Sequence, residues 1–220
     1  MIYTLSTYHV DRADLTEFVR VQEEEVWPKL GTVPLGLWSV VMGGPRRVLM
    51  LCCYDSLQHW QSTCDWNVAA DSGVASAGPS IFDATEAVAL RPLTRRRPTA
   101  QAPESEAGIY TMRTFKVAGE NLRRFVEVSE DGWWPWVEAG QGLRPLAQWV
   151  SIVAPETRVY MMARYDDMAH WEATRQVGTK PDDPELVPIW ETASAAIAER
   201  QTLVIDTNVC MLLPISQRRP

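Results

Sequence analysis

The stretch IYTLSTYHV, residues 2–10, decides the fold, because it returns 107 residues later as IYTMRTFKV, residues 109–117. Five of the nine positions are identical. Further along, Trp27-Pro28 returns as Trp134-Pro135, and beyond a four-residue insertion His59-Trp60 returns as His170-Trp171. Because each copy of an internal repeat is one folding unit, two copies of about 100 residues indicate a duplicated domain and not a solenoid.

Each copy is predicted to fold as β-α-β-β-α-β. In the first copy, β-forming residues predict strands at 2–10, 37–42, 47–54 and 83–90, with a Gly-Gly-Pro turn at 43–45 closing a hairpin. Apolar residues at helical spacing follow the first strand, and a second helix follows the third strand. In the second copy, the pattern predicts a helix over 122–136 interrupted at Pro135, a further helix over 184–199 and a long final strand over 201–213. Residues 94–108 are rich in Pro, Arg, Ala, Glu and Ser and predict a linker between units 1–93 and 109–220.

A β-α-β-β-α-β unit forms a four-stranded antiparallel sheet with both helices on one face. The predicted strands carry apolar residues on both faces, among them Trp38, Met50 and Val204. A sheet with two apolar faces must be covered on both sides. The sequence therefore predicts that the two sheets pack face to face as one pseudo-symmetric barrel with the helices outside.

The motif Ile-Tyr-x-Leu-x-Thr-Tyr, followed by a helix, a hairpin and Tyr-Asp before a second helix, resembles the NIPSNAP family of the dimeric α/β-barrel superfamily. The matching segments are residues 2–10 with 54–60, and 109–117 with 164–171. The resemblance implies an α+β fold in which two ferredoxin-like units form an intramolecular dimeric α/β barrel. It leaves the reaction open, because that superfamily carries out cofactor-free oxygenation, cyclisation, isomerisation and haem-dependent chemistry.

Composition excludes several classes of function. The net charge of -7 and a pI near 5.1 argue against nucleic acid as a partner, since a phosphate-binding surface is basic. We expect no membrane span, no signal peptide and a cytoplasmic protein whose four cysteines are reduced. Neither a metal-binding Cys/His spacing nor a nucleotide-binding fingerprint is present, so we expect no cofactor and no metal.

The first strand supplies the candidate catalytic residues. Ser6 and Tyr8 share its more polar face, which we predict to line the barrel lumen, and Arg113 replaces Ser6 in the repeat. A buried guanidinium needs a carboxylate or an anionic ligand. Arg113 is therefore predicted to bind substrate, with an internal ion pair or an exposed position as alternatives. Tyr8 joins it as a candidate, and His9 is either a general base at the barrel mouth or an exposed strand end.

Tryptophans supply the candidate substrate-binding walls, because large aromatic side chains fill cores but also line apolar pockets. Trp133 and Trp136 replace Val26 and Lys29 of the first copy, which suggests an aromatic ligand on the second half or additional packing there. Arg164 replaces Cys53, so the copies have diverged at this position too. The predicted substrate-binding set is Trp38, Trp149, Trp133, Trp136, Arg164 and Ser6.

The leading hypothesis is a small cofactor-independent enzyme that acts on an apolar or aromatic metabolite in the lumen by cyclisation, isomerisation, elimination or oxygenation, as a tailoring step in secondary metabolism. One alternative is a non-catalytic ligand-binding or interaction protein of NIPSNAP type. Another is a haem-binding barrel, for which His9 is the only plausible axial ligand by strand position. We expect a monomer or a homodimer of tandem barrels.

Overall fold

The computed structural model describes residues 1–29, 33–44, 46–63, 86–94, 108–175 and 179–215. The first half contains strands β1 (Ile2–Tyr8), β2 (Val33–Met42), β3 (Val48–Tyr54) and β4 (Glu86–Pro92). Helix α1 (Leu15–Val21) continues into a π-helical turn and a short 3-10 turn that ends at Lys29, and α2 is Leu57–Thr63. The predicted linker, apart from its ends, lies outside the described residues.

The second half repeats this plan. Its strands are β5 (Ile109–Val117), β6 (Arg144–Ser151), β7 (Arg158–Tyr165) and β8 (Val204–Pro214). Its helices are α3 (Leu122–Glu127), a π-helical turn (Val128–Trp133), α4 (Trp134–Ala139), α5 (Met168–Ala173) and α6 (Val187–Leu203). Pro135, where the sequence predicted an interruption, lies in the first turn of α4, directly after the π-helical turn.

The eight strands form one closed antiparallel barrel in the order β1-β3-β2-β8-β5-β7-β6-β4. Strands β2 and β8 join the halves on one side, with Val40 opposite Leu212, and β4 and β6 join them on the other, with Leu90 opposite Ser151. Gly43 allows the first junction, because a Cβ there would lie 2.2 Å from the Val209 carbonyl oxygen. The predicted α+β fold, with two ferredoxin-like units forming a barrel within one chain, is confirmed.

Side chains pack in three layers around this barrel. The lumen is filled by a core cluster drawn from both sheets, which includes Tyr3, Trp38, Tyr110 and Trp149. A second cluster lies between the first sheet and α1, and the other two lie between the second sheet and the helices of the second half. No helix within the described residues combines the length and the apolar character that a bilayer span requires.

Helix α6 covers the second sheet because one face of it is apolar and because Gly132 lets it approach closely. Its buried residues Ala193, Ala196 and Arg200 are spaced three and four apart, which places them on one face of a helix. A Cβ at Gly132 would lie 2.3 Å from the Ala196 Cβ. The small residues therefore bring α6 down onto the π-helical turn that carries Trp133.

Candidate functional site: a cationic cavity beneath the helices of the second half

The predicted lumen-facing side of the first strand is wrong. Ser6 and Tyr8 lie opposite Met50 and Val48, whose side chains belong to the cluster under α1. The lumen receives Tyr3 and Leu5, together with their counterparts Tyr110 and Met112. Because both faces of the strand are buried, the more polar set did not mark the lumen; the small Thr4 and Ser6 lie under the helices, while large aromatic groups fill the barrel.

The centre of the lumen is closed by two equivalent aromatic pairs that join the halves. The Tyr3 and Trp149 rings lie 5.7 Å apart edge to face, and the Trp38 and Tyr110 rings lie 6.0 Å apart. Neither Trp38 nor Trp149 lines a described cavity; both are about 2–3% exposed core residues. Burial, with Cys53 next in importance, raises the pKa of Tyr3 to about 12.

One mouth of the barrel opens into a polar cavity of about 490 Å³. Both halves line it, and charges of both signs alternate around it, including Arg47, Glu86 and Asp206. Lys116 pairs with Glu156 at this mouth. Carboxylates therefore line this mouth together with its cations, beside apolar residues of both sheets such as Leu49 and Met112.

A second cavity of about 270 Å³ lies between the sheet and the helices of the second half. It brings together two of the predicted site residues, Arg113 from β5 and Trp133 from the π-helical turn. Its walls combine apolar and polar groups with three arginines, and no carboxylate from the described residues is among them. The lining residues are Thr111, Arg113, Trp133, Gln141, Leu143, Met161, Ala163, Tyr165, Thr174, Arg175, Ile197, Arg200 and Gln201.

Arg200, at the end of α6, is the most deeply buried cation of this cavity. It is 4% exposed, and its Nη1 has no hydrogen-bond partner among the described residues. Its Cζ lies 4.5 Å from the centre of the Phe115 ring and 5.2 Å from that of Phe125. Arg113 approaches the same Phe115 ring, with its Cζ 5.9 Å from the ring centre. Burial, and next the charge of Arg113, lowers the pKa of Arg200.

These aromatic contacts offset only part of the cost of burying the cations. A cation–π contact contributes roughly 0.5–2 kcal/mol. A buried charge left without a partner costs roughly 3–5 kcal/mol. Burial, and next the charge of Arg175, also lowers the pKa of Arg113. The cavity thus concentrates positive charge that the described residues do not neutralise, and an anion would relieve it.

The other predicted site residues lie elsewhere. Ser6 is buried in the first half, and Tyr8 packs against Phe18 with ring centres 5.1 Å apart. Trp136 belongs to the core between α4 and the second sheet. Arg164 donates a 3.1 Å hydrogen bond to Asp166, beside the start of α5. None of these four lines either cavity.

His9 is exposed just after the end of β1 and lines neither cavity. The haem hypothesis depended on a histidine inside the lumen, and the structure does not place His9 there. Within the described part of the chain, no group of three His, Cys, Asp or Glu side chains is arranged to hold a metal ion.

Arg200, Arg175 and Tyr165 are cavity residues that sequence reasoning missed. Residues 184–199 were predicted as a helix and a strand from 201, which left Arg200 at a junction without a role. The helix continues to Leu203, and Arg200 follows Ala193 and Ala196 on its buried face. That spacing was the available signal, because a charged residue in register with an apolar helical stripe must be buried or lie at its edge.

No protein-family model and no curated protein matches this chain. Its fold matches solved structures along nearly its whole length. An anthrone oxidase-like protein covers 99% of this chain and 92% of its own, with 15% identity and a TM-score of 0.59. A candidate monooxygenase from Lactobacillus acidophilus covers 97% and 93%, with 14% identity and a TM-score of 0.55. These two matches confirm the tandem barrel as a known fold.

Half of the chain also aligns with a solved NIPSNAP structure. A NIPSNAP domain protein from Burkholderia xenovorans matches 51% of this chain and 99% of its own, with 18% identity and a TM-score of 0.41.

Proposed function

We propose that this chain is a small enzyme that oxygenates an aromatic metabolite in the cavity beneath the helices of the second half, without a bound cofactor. The observation that carries the proposal is the meeting of Arg113, Trp133 and Tyr165 in one cavity. Aromatic walls favour a flat ring, and a fixed guanidinium favours an oxygen atom that becomes negative. The site we propose is therefore not the lumen favoured by the sequence.

The lining residues suggest how the reaction begins. No histidine, aspartate or glutamate lines the described cavity, so it contains no side chain that suits a general base near neutral pH. The substrate must then supply its own acidity. Arg113 stabilises the phenolate or enolate that forms when such a substrate loses a proton to water.

An anion of this kind can react with oxygen directly, because an electron-rich ring system donates electrons to O2. For a methylene group between two aromatic rings, the methylene carbon loses two hydrogens and gains one oxygen atom. The second oxygen atom leaves with those hydrogens as water, so the atoms balance with O2 as the only co-reactant. The protein contributes a stabilised anion and an apolar wall that orients the ring.

The proteins of similar fold support the choice of reaction class, since their names are anthrone oxidase-like protein and candidate monooxygenase. The cavity supports the choice of substrate class. Its volume of about 270 Å³ lies near the lower end of small-molecule sites, roughly 300 Å³, and suits a small fused-ring molecule. The barrel closes within one chain, so a monomer suffices to form this site.

Oxygen consumption with anthrone as the probe tests the proposal. The purified protein is first treated with chelator and shown by absorbance to hold no flavin or haem. It should then consume O2 faster than buffer alone, with one O2 consumed for each ketone formed. Arg113→Gln should lower kcat/KM by about 100-fold, as removal of one oxyanion-stabilising donor does. Ser6→Ala changes the equivalent position of the first half and serves as the matched control. No turnover above buffer, or full activity in Arg113→Gln, would overturn the proposal.

A further inference from the structure

We propose that the ligand of this cavity is an aromatic carboxylic acid, whose carboxylate is held by Arg200 while its ring lies along Trp133. This inference names the substrate class of the proposed function. It concerns a different group from the reacting oxygen, because Arg200 is the deeper cation and Arg113 the more accessible one.

The charges that line the cavity are unbalanced among the described residues. Arg113, Arg175 and Arg200 line it, and no hydrogen bond or ion pair joins any of them to a described carboxylate. Arg200 is almost fully buried, and its Nη1 is left without a partner within the described chain. A buried hydrogen-bond donor that carries a full charge needs an acceptor, and a carboxylate offers the planar geometry that a guanidinium matches.

Two carboxylates that are adjacent in the sequence to cavity residues have other partners. Glu199 precedes Arg200 on α6, but it accepts two hydrogen bonds from Arg124, at 2.6 and 2.7 Å, on the exposed side of the helix. Asp166, which follows Tyr165, accepts one from Arg164. Glu130, a buried carboxylate of the same helical layer, is not among the residues that line the cavity.

The cavity wall also indicates what the body of the ligand is made of. Trp133, Leu143, Met161 and Ile197 line the cavity beside the arginines, so much of its wall is apolar. A small inorganic anion would leave that wall facing empty space or water. A fused aromatic ring with one carboxylate would satisfy both the apolar wall and the cations.

The cavity at the mouth of the barrel differs from the one beneath the helices in its carboxylates. There Lys116 and Arg158 both contact Glu156, so these two cations have a carboxylate partner within the chain. The cavity beneath the helices, in contrast, combines the buried Arg200 with a lining free of described carboxylates. An organic acid is therefore expected to bind there and not in the lumen.

Binding of 2-naphthoate, compared with the neutral and nearly isosteric 2-naphthamide, tests the inference by isothermal titration calorimetry. We expect the acid to bind the wild-type protein at least about tenfold more tightly than the amide. Arg200→Met and Arg200→Gln should each remove that preference while retaining binding of the amide. Arg123→Met, which removes an exposed arginine of α3 whose side chain is 93% accessible, should leave the preference unchanged.

Equal affinity for acid and amide would overturn the inference, as would an acid preference that survives both Arg200 variants and so reports another site. Loss of the preference in Arg123→Met would also overturn it, because it would show a non-specific charge effect. The proposed function is judged separately by oxygen uptake. If naphthoate binds with the expected variant effects but anthrone is not turned over, this inference alone is upheld. If anthrone is turned over but the acid is not preferred, only the proposed reaction is upheld.

Discussion

Ser6 in the first half and Arg113 in the second occupy equivalent places in the barrel. Ser6 lies opposite Met50 on β3, and Arg113 lies opposite Met161 on β7, the counterpart of Met50. Both point away from the lumen toward helices. Ser6 is buried and lines neither of the two cavities described above, whereas Arg113 lines a cavity with Arg200. Equivalent strand positions therefore carry a small buried hydroxyl in one half and a cation at a cavity wall in the other.

Exchanging these two residues should produce the largest difference in stability and tests directly whether the two positions differ. Ser6→Arg places a cation where neither described cavity reaches, and we expect it to cost about 3–5 kcal/mol, or roughly 10 °C in Tm. Arg113→Ser removes an uncompensated charge and should change the free energy of unfolding by less than about 1 kcal/mol. Thermal unfolding followed by circular dichroism measures both; equal losses would show that the layers do not differ.

A second difference between the halves is Gly132, which lies against α6, the helix that covers the cavity. Its first-half counterpart is Glu25, an exposed residue, whereas a Cβ at Gly132 would collide with Ala196. We expect Gly132→Ala to push α6 outward and to cost about 1–3 kcal/mol. Gly44→Ala is the control, because no atom lies within 3.7 Å of a Cβ there, and it should cost less than about 0.5 kcal/mol. Similar Tm values for the two variants would argue against the close approach of α6.

The smallest expected effect concerns the lumen, where the halves remain alike. Burial raises the pKa of Tyr3 to about 12, above the ordinary value near 10 in the unfolded chain. The Tyr3 hydroxyl therefore stays protonated to a higher pH in the folded protein than in the unfolded chain. Its contribution to stability is fully present below about pH 10 and is lost as the pH rises through about 12. Tyr3→Phe keeps the ring beside Trp149 and should make Tm fall less steeply between about pH 9 and 11. An unchanged slope would contradict the prediction.

Much of the fold could be predicted because the repeat and the strand periodicity are local signals. Apolar residues on both strand faces predicted that the two sheets close on each other in one chain. The same strand patterns predicted the hairpin of β2 and β3 and the long last strand. The site could be predicted only in part. Arg113 and Trp133 were identified by their divergence between the copies, and the structure brings them together. Trp38 and Trp149 were identified by residue type, which does not distinguish a core residue from a pocket wall.

By itself the sequence determined that two similar units pack as a barrel, and that the second unit carries extra charge and extra aromatic groups. Only the tertiary structure decided where those groups lie. A strand's period of two tells which side chains share a face, but when both faces are buried it does not tell which one meets the opposite sheet and which one meets the helices. The proximity of Arg200 and Arg113 is also decided by the tertiary structure. These residues are 87 positions apart and meet because α6 packs on the second sheet.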